Sequence, residues 1–137
     1  MNRRRLLQTA SGILVFLGTG HLVLASFITS ETLTNWVDNG VWAAVPLVGG
    51  FAEPSAARNA LAFWAGLGSF AVPLAALGLL VWHLASRSIA VPAFVGWIIA
   101  IWCLAGALIL VPSPFILGAA AGFLVVLAAR PARVGSA

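Results

Sequence analysis

Residues 3–28 read RRRLLQTASGILVFLGTGHLVLASFI, three arginines followed by a long apolar run. As a helix, the run from Leu6 to Ile28 is long enough to cross a hydrocarbon core of ~30 Å at a rise of ~1.5 Å per residue. Three further apolar runs follow it, at about residues 54–86, 89–111 and 114–129. The sequence therefore predicts an all-α, polytopic membrane protein, an antiparallel bundle of four transmembrane helices in a single domain.

The composition agrees with a lipid environment. The chain has 137 residues, of which 62% are hydrophobic and 7% charged, and its mean hydropathy is +1.09. A soluble domain of this size needs more polar surface than that. The net charge of +4 does not predict nucleic-acid binding, because the arginines are dispersed at the ends of the apolar runs and form no continuous basic face. We expect the lipid bilayer, and no nucleic acid, as a partner.

The basic and acidic residues lie on different connections between the apolar runs. Six of the seven arginines precede the first run, separate the second from the third, or follow the fourth, and Arg58 is the exception. All three carboxylates lie between the first and second runs. Because basic loops stay on the cytoplasmic side, we expect a multi-pass protein of the bacterial inner membrane with both termini cytoplasmic. Residues 130–137 would form a cytoplasmic tail, and the connection at about residues 29–53 would lie outside.

This long connection contains structural signals of its own. Three apolar residues share one face of a possible short helix, which is expected to end at Gly40 because glycine suits the left-handed position after a helix. They are Leu33, Trp36 and Val37. The segment from Val41 to Leu47 is apolar again but too short to span. The pattern predicts an interfacial or re-entrant segment between the first two transmembrane helices.

The N-terminus allows a second interpretation. Residues 2–8, NRRRLLQ, resemble a twin-arginine export signal, and Val23-Leu24-Ala25 could serve as a signal-peptidase site. However, the first apolar run is longer than the hydrophobic region of a typical signal, and basic residues before a first helix are also what topology requires. We interpret the run as a retained transmembrane helix, with cleavage as the alternative.

Small residues recur on all four predicted helices and predict a tight bundle, because helices in lipid associate by close packing. They are Ser11, Gly18 and Ala25 in the first helix, Ala62, Ser69 and Ala76 in the second, Gly96, Ala100, Cys103 and Ala107 in the third, and Gly118 and Gly122 in the fourth. Cys103, the single cysteine, is interpreted as a small packing residue. Pro73 is expected to kink the second helix.

Two histidines lie inside the predicted spans, where an unsatisfied polar group is costly. His21 lies beside the small residues of the first helix, near its outer end, and is expected to project toward the bundle interior. His83 continues the Ala62–Ser69–Ala76 series and is expected to face inward near the cytoplasmic end. Because the two histidines lie near opposite membrane surfaces, they cannot share a metal or a haem, and we predict no metal and no cofactor. The structural interpretations are an interhelical hydrogen bond for His21 and an interfacial position for His83.

The other candidate functional residues lie at the outer end of the predicted bundle. An imidazole oriented by a carboxylate can act in acid–base catalysis, so His21 with Asp38 or Glu53 would form a minimal catalytic site. Arg58 is a natural anchor for an anionic head group. The other predicted ligand-binding residues are Trp36, Asn59 and Trp64.

Three functions remain open. The first is a protein that holds a hydrophobic or amphipathic small molecule between its helices at the outer leaflet. The second is an accessory or assembly subunit that docks on a larger membrane complex, or a homo-oligomer. The third is a membrane-embedded isomerase or cyclase that uses His21. Binding or catalysis predicts that His21, Arg58 and Trp64 line one cavity, whereas the subunit hypothesis predicts small-residue stripes that face outward.

Short motifs also give a resemblance. Gly20-His21 late in the first helix, the interrupted outer connection, and Arg58 followed by Phe63-Trp64 resemble a family of small uncharacterised bacterial four-helix integral membrane proteins. The resemblance covers the chain from about His21 to Ala129. It implies a membrane protein with four spans, and it carries no assigned activity and no catalytic residues.

Overall fold

The structure is a computed structural model that describes residues 2–42, 44–45 and 53–130, and these ranges contain six α-helices and no strand. The helices are α1 (Arg3–Ile28), α2 (Ser30–Asn39), α3 (Pro54–Ala65), α4 (Ala71–Ser86), α5 (Ala93–Ile109) and α6 (Phe115–Ala129). The all-α prediction is confirmed. Parts of the predicted interfacial segment and cytoplasmic tail, residues 43, 46–52 and 131–137, lie outside the described residues.

Within those ranges, α1 is the one helix that is long and apolar enough to cross a membrane by itself. It lies near the N-terminus, and its length and composition fit either a membrane span or a signal sequence. Three of the other helices, α4, α5 and α6, are apolar but shorter. The number of spans therefore remains a prediction.

A single residue, Thr29, separates α1 from α2. The Thr29 N–H donates to the Ala25 carbonyl at 2.9 Å, and the Leu33 N–H donates to the Thr29 carbonyl at 3.0 Å, so backbone hydrogen bonding continues across the junction. The short helix predicted in the long connection is confirmed as α2. It ends before Gly40, whose φ of +95° is in the region that favours glycine. Of its predicted apolar face, Val37 is exposed.

The second apolar run forms two helices, so the prediction of one helix kinked at Pro73 is wrong. The chain turns at residues 66–70, where the Gly68 N–H donates to the Phe63 carbonyl at 2.7 Å and the Ser69 Oγ donates to the Gly66 carbonyl at 2.6 Å. Ser69 Oγ also accepts the Ala71 N–H at 3.3 Å, at the start of α4. Pro73 then falls in the first turn of α4, where its missing N–H costs no intrahelical hydrogen bond.

The turn at 66–70 also breaks the small-residue series predicted for this run. Ala62 is buried and Ser69 is half-buried, but Ala76 and His83 are exposed. Because a heptad series keeps to one face only in a continuous helix, the inward orientation predicted for His83 is wrong. Its exposed position near the end of α4 agrees with the interfacial interpretation.

The chain divides into two compact units. The first unit contains the residues up to Leu17 and those from Leu74 onward, and the second contains Gly18–Pro73. In the first unit, the Ser11 hydroxyl donates to the Gly78 carbonyl at 2.6 Å and joins α1 to α4. The core around this bond includes Leu7, Ala10, Leu14, Leu74, Val81, Ala85, Ile99, Cys103, Ala121 and Val125.

The α5 and α6 helices pack through the small residues that the sequence singled out. A Cβ at Gly122 would lie 2.6 Å from the Gly96 carbonyl oxygen and 2.6 Å from the Ala100 nitrogen. A Cβ at Gly118 would lie 2.5 Å from the Cys103 sulfur. The prediction that Gly118 and Gly122 face another helix is confirmed, and so is the role of Cys103 as a buried packing residue.

Large apolar side chains cover the outside of the first unit. Exposed examples are Leu79, Leu80 and Trp82 on α4, Phe94, Trp97, Ile98, Ile101 and Leu108 on α5, and Ile116, Leu117, Phe123 and Leu127 on α6. The α5–α6 contact combines a close approach at glycine, alanine and cysteine with two edge-on aromatic pairs, Trp97–Phe123 and Trp102–Phe115. Large apolar side chains therefore occur both in the core and on the outer surface of the first unit.

Candidate functional site

The second unit contains two helices with polar faces. On α2, Thr32, Asn35 and Asn39 recur at spacings of three and four residues, which places them on one side of the helix. The polar face of α3 follows the same spacing. It consists of Ser55, Arg58 and Asn59.

These two polar faces line a cavity of about 390 Å³. The other residues that line it are Trp36, Gly40 and Ala44. The volume falls within the ~300–1,000 Å³ that is typical of small-molecule pockets. Several lining residues, including Asn35, Asn39 and Arg58, are exposed, so the cavity is open to solvent.

A hydrogen bond between the two helices supports the cavity wall. The Trp36 Nε1–H donates to the Asn59 Oδ1 at 3.0 Å, and both side chains are half-buried. Since the amide oxygen of Asn59 is engaged, its NH₂ group remains to donate. The Asn39 side chain is in the converse situation, because its Nδ2 donates to the Asn35 carbonyl at 3.0 Å and leaves the Oδ1 to accept. The cavity therefore offers both donors and acceptors.

Arg58 is the charged residue of this lining. Glu31, Asp38 and Glu53 all lie in the described ranges, and none of them forms an ion pair with Arg58 there. Thr32, Asn35 and Ser55 also have no side-chain hydrogen-bond partner in the described part of the chain. These side chains are available to a ligand.

His21 lies outside the cavity lining and is exposed, so its predicted inward orientation is wrong. Its Nε2 is 2.8 Å from the Ala65 carbonyl oxygen at the end of α3. Because a carbonyl can only accept, Nε2 carries the proton in this contact. The bond satisfies one of the carbonyls that have no intrahelical partner at a helix C-terminus. It is the interhelical hydrogen bond expected from the structural interpretation of His21.

The cavity brings together only some of the predicted site residues. His21 forms no hydrogen bond with Asp38 or Glu53 in the described ranges, and both carboxylates are exposed. The exposed Trp64 packs edge-on against Phe63, with ring centroids 5.1 Å apart. Trp36, Arg58 and Asn59 line the cavity, whereas His21, Asp38, Glu53 and Trp64 do not.

Thr32, Asn35, Asn39 and Ser55 were not among the sequence candidates. A signal for three of them was present, because they occupy polar positions at helical spacing on the segment whose apolar residues predicted α2. For Gly40 and Ala44 the sequence offers no such signal. Across the described ranges, no group of three or more His, Cys, Asp or Glu side chains is placed to hold a metal ion.

A comparison with known protein families found a match. No curated protein and no solved structure matches the chain. The model of a family of unknown function, DUF6463, matches residues 5–132. This confirms the predicted relation to an uncharacterised family. Since the match covers almost the whole sequence, the chain belongs to DUF6463.

Proposed function

We propose that this protein is a four-span protein of the bacterial inner membrane that binds an amphipathic small molecule at its extracytoplasmic side. The spans would be α1, α4, α5 and α6, and the ligand would occupy the cavity between α2 and α3. The observation that carries the binding role is this cavity, with its indole wall and with polar side chains that have no partner among the described residues.

The surface of the first unit supports the membrane assignment. Exposed leucine, isoleucine, phenylalanine and tryptophan side chains on α4, α5 and α6 are costly in water and suit lipid. These helices have 16, 17 and 15 residues, so each spans about 22–26 Å at ~1.5 Å per residue. That is shorter than a ~30 Å core, and apolar flanking residues or local thinning of the bilayer make up the difference. Around α5, the flanks are Ile89–Val91 and Leu110–Val111.

The charge pattern supports the orientation. Arg3–Arg5 lie at the start of α1, Arg87 lies between α4 and α5, and Arg130 follows α6, so in four alternating spans they would share one side. The carboxylates Glu31, Asp38 and Glu53 lie on or beside α2 and α3 and would share the other side in this topology.

An amphipathic ligand fits the second unit better than a purely polar one. The cavity lining is polar, but exposed apolar side chains occur on and just after α2. Val37 is 77% exposed, Val41 is 72% exposed and Trp42 is 95% exposed. A ligand with a polar head and an apolar tail uses both kinds of surface.

The subunit hypothesis draws less support from the contacts. It expects outward stripes of small residues, yet Ser11, Gly18 and Ala25 are buried, as are Gly118 and Gly122. The acid–base hypothesis needs a carboxylate near His21, and the described contacts of His21 provide none.

Ligand retention tests the binding role. Asn35→Trp should fill the cavity, whereas Thr34→Trp, on the neighbouring residue of the same helix, should leave the cavity open. We expect native mass spectrometry of gently solubilised protein to detect a bound small molecule in the wild type and in Thr34→Trp, and to find it lost from Asn35→Trp. A wild type without a ligand, or an Asn35→Trp variant that retains one, would overturn the binding role.

Thiol labelling tests the orientation. In a Cys103→Ala background, Asp38→Cys should react with an impermeant reagent added to intact spheroplasts, and Arg87→Cys should react only after the membrane is permeabilised. The reverse pattern would contradict the proposed topology.

A further inference from the structure

Arg58 gives the cavity a positive charge that the described part of the chain does not neutralise. Its guanidinium is a planar fork of donors that matches the oxygens of a phosphate or a carboxylate. The three Asp and Glu side chains are all described, and none forms an ion pair with Arg58. Within the described residues, Arg58 is therefore available to pair with an anionic ligand.

The neighbours of Arg58 distinguish between kinds of anion. Ser55 and Asn59 add donors on α3, while the free Oδ1 of Asn39 adds an acceptor on α2. The carboxylate of a simple fatty acid would use the donors and leave that acceptor unpaired. A phosphate ester that also carries hydroxyl groups would use both walls, because its hydroxyls can donate to Asn39 and exchange hydrogen bonds with Thr32 and Asn35.

The size of the cavity favours the larger group. A volume of about 390 Å³ is many times the ~30 Å³ that one water takes up in the liquid. Inorganic phosphate would leave most of this space to solvent, whereas a phosphate with a short polyol attached would fill much more of it.

We propose that the cavity binds the head group of an anionic phospholipid, with its phosphate on Arg58 and the hydroxyls of an attached polyol against α2. This inference rests on the proposed function and names its ligand class. The exposed Val41 and Trp42, which follow the cavity residue Gly40, provide apolar surface for the acyl chains, which a soluble phosphate ester does not need.

The test compares lipids with identical acyl chains on the full-length protein in detergent micelles. Native mass spectrometry or a fluorescence titration would measure the affinity for phosphatidylglycerol, which has both phosphate charge and polyol, and for zwitterionic phosphatidylcholine. We expect phosphatidylglycerol to bind about tenfold more tightly or better, as for a charge-assisted contact. Arg58→Gln should remove this preference. Arg87→Gln, an equal loss of charge outside the cavity, should preserve it.

A second pair of probes tests the polyol and the source of the phosphate. Phosphatidic acid keeps the phosphate but lacks the polyol, so Asn39→Ala should lower the affinity for phosphatidylglycerol and leave that for phosphatidic acid unchanged. Glycerol 1-phosphate keeps the polar group without acyl chains and should bind much more weakly than the lipid. If it competes at the same concentration as the lipid, the ligand is a soluble phosphate ester and the lipid assignment is wrong.

The failures of the two proposals are distinguishable. If phosphatidylcholine binds as well as phosphatidylglycerol and Arg58→Gln changes neither, the anionic head group is wrong while binding in the cavity stands. If no lipid is retained and Asn35→Trp has no effect on any probe, the proposed function itself is wrong.

Discussion

The two units of this chain place polar and apolar side chains in opposite ways. In the first unit, the closest approach of α5 and α6 is made by glycine, alanine and cysteine, and many large apolar residues face outward. In the second unit, α2 and α3 present polar faces to a shared cavity and are joined by the bond from Trp36 to Asn59. Close packing and ligand recognition therefore need different residue types between the helices. A close contact between two backbones leaves no room for a ligand, whereas polar side chains that hold two helices apart leave a space that a ligand can occupy.

The largest expected effect lies in the first unit. Gly122→Leu would place a side chain against the Gly96 carbonyl and the Ala100 nitrogen, which are backbone atoms that cannot rotate away. We expect a loss of about 3 kcal/mol of stability or more, the upper part of the range for overpacking. Thermal unfolding in detergent would measure it. Ala120→Leu, on the exposed face of the same helix, is the matched control and should change little. Equal stability of the two variants would show that α6 is not held to α5 by close packing.

A smaller effect is expected in the second unit. Trp36→Phe keeps most of the ring but removes the N–H that donates to Asn59, at a cost of about 1 kcal/mol. Because this bond supports the cavity wall, ligand retention should fall even though the protein stays folded. Trp82→Phe makes the same chemical change at an exposed side chain of α4 that does not line the cavity, and it should alter neither property. If Trp36→Phe retains the ligand as well as the wild type does, the hydrogen bond is not needed for binding.

The smallest effect is expected at His21. His21→Ala removes one hydrogen bond to the Ala65 carbonyl, and such a bond between membrane helices is worth about 0.6 kcal/mol on average. Ligand retention should be preserved, because His21 does not line the cavity. His83→Ala, at the exposed end of α4, should affect neither stability nor retention. Loss of the ligand from a folded His21→Ala variant would show that His21 belongs to the binding site and is not only a structural residue.

Local sequence patterns predicted one helix end and one contact between helices. Gly40 marked the end of α2, and the four-residue spacing of Gly118 and Gly122 marked the α6 face that meets α5. The turn at 66–70 was missed because its leucine and phenylalanine keep the hydropathy of the second run high. The stop signals there were Gly66 and Gly68, two glycines within three residues.

The candidate site was predictable to a smaller extent. Arg58 and Asn59 stood out as polar residues at the start of an apolar run, and Trp36 stood out on α2. His21 was grouped with them from its position along the chain. Its hydrogen bond to Ala65 depends on where α3 ends, which the hydropathy pattern did not reveal. Side-chain function at a helix end follows from the neighbouring helix, and a single sequence does not identify that neighbour.

The contact between Gly122 and α5 also constrains the evolutionary history of this chain. The atoms that a side chain at 122 would meet most closely are the Gly96 carbonyl oxygen and the Ala100 nitrogen, both of which belong to every amino acid. A second mutation on α5 therefore cannot restore the space, in contrast to a clash between two side chains. A lineage can lose this glycine only by moving one helix away from the other, so relatives with a large residue here should have a differently spaced helical pair.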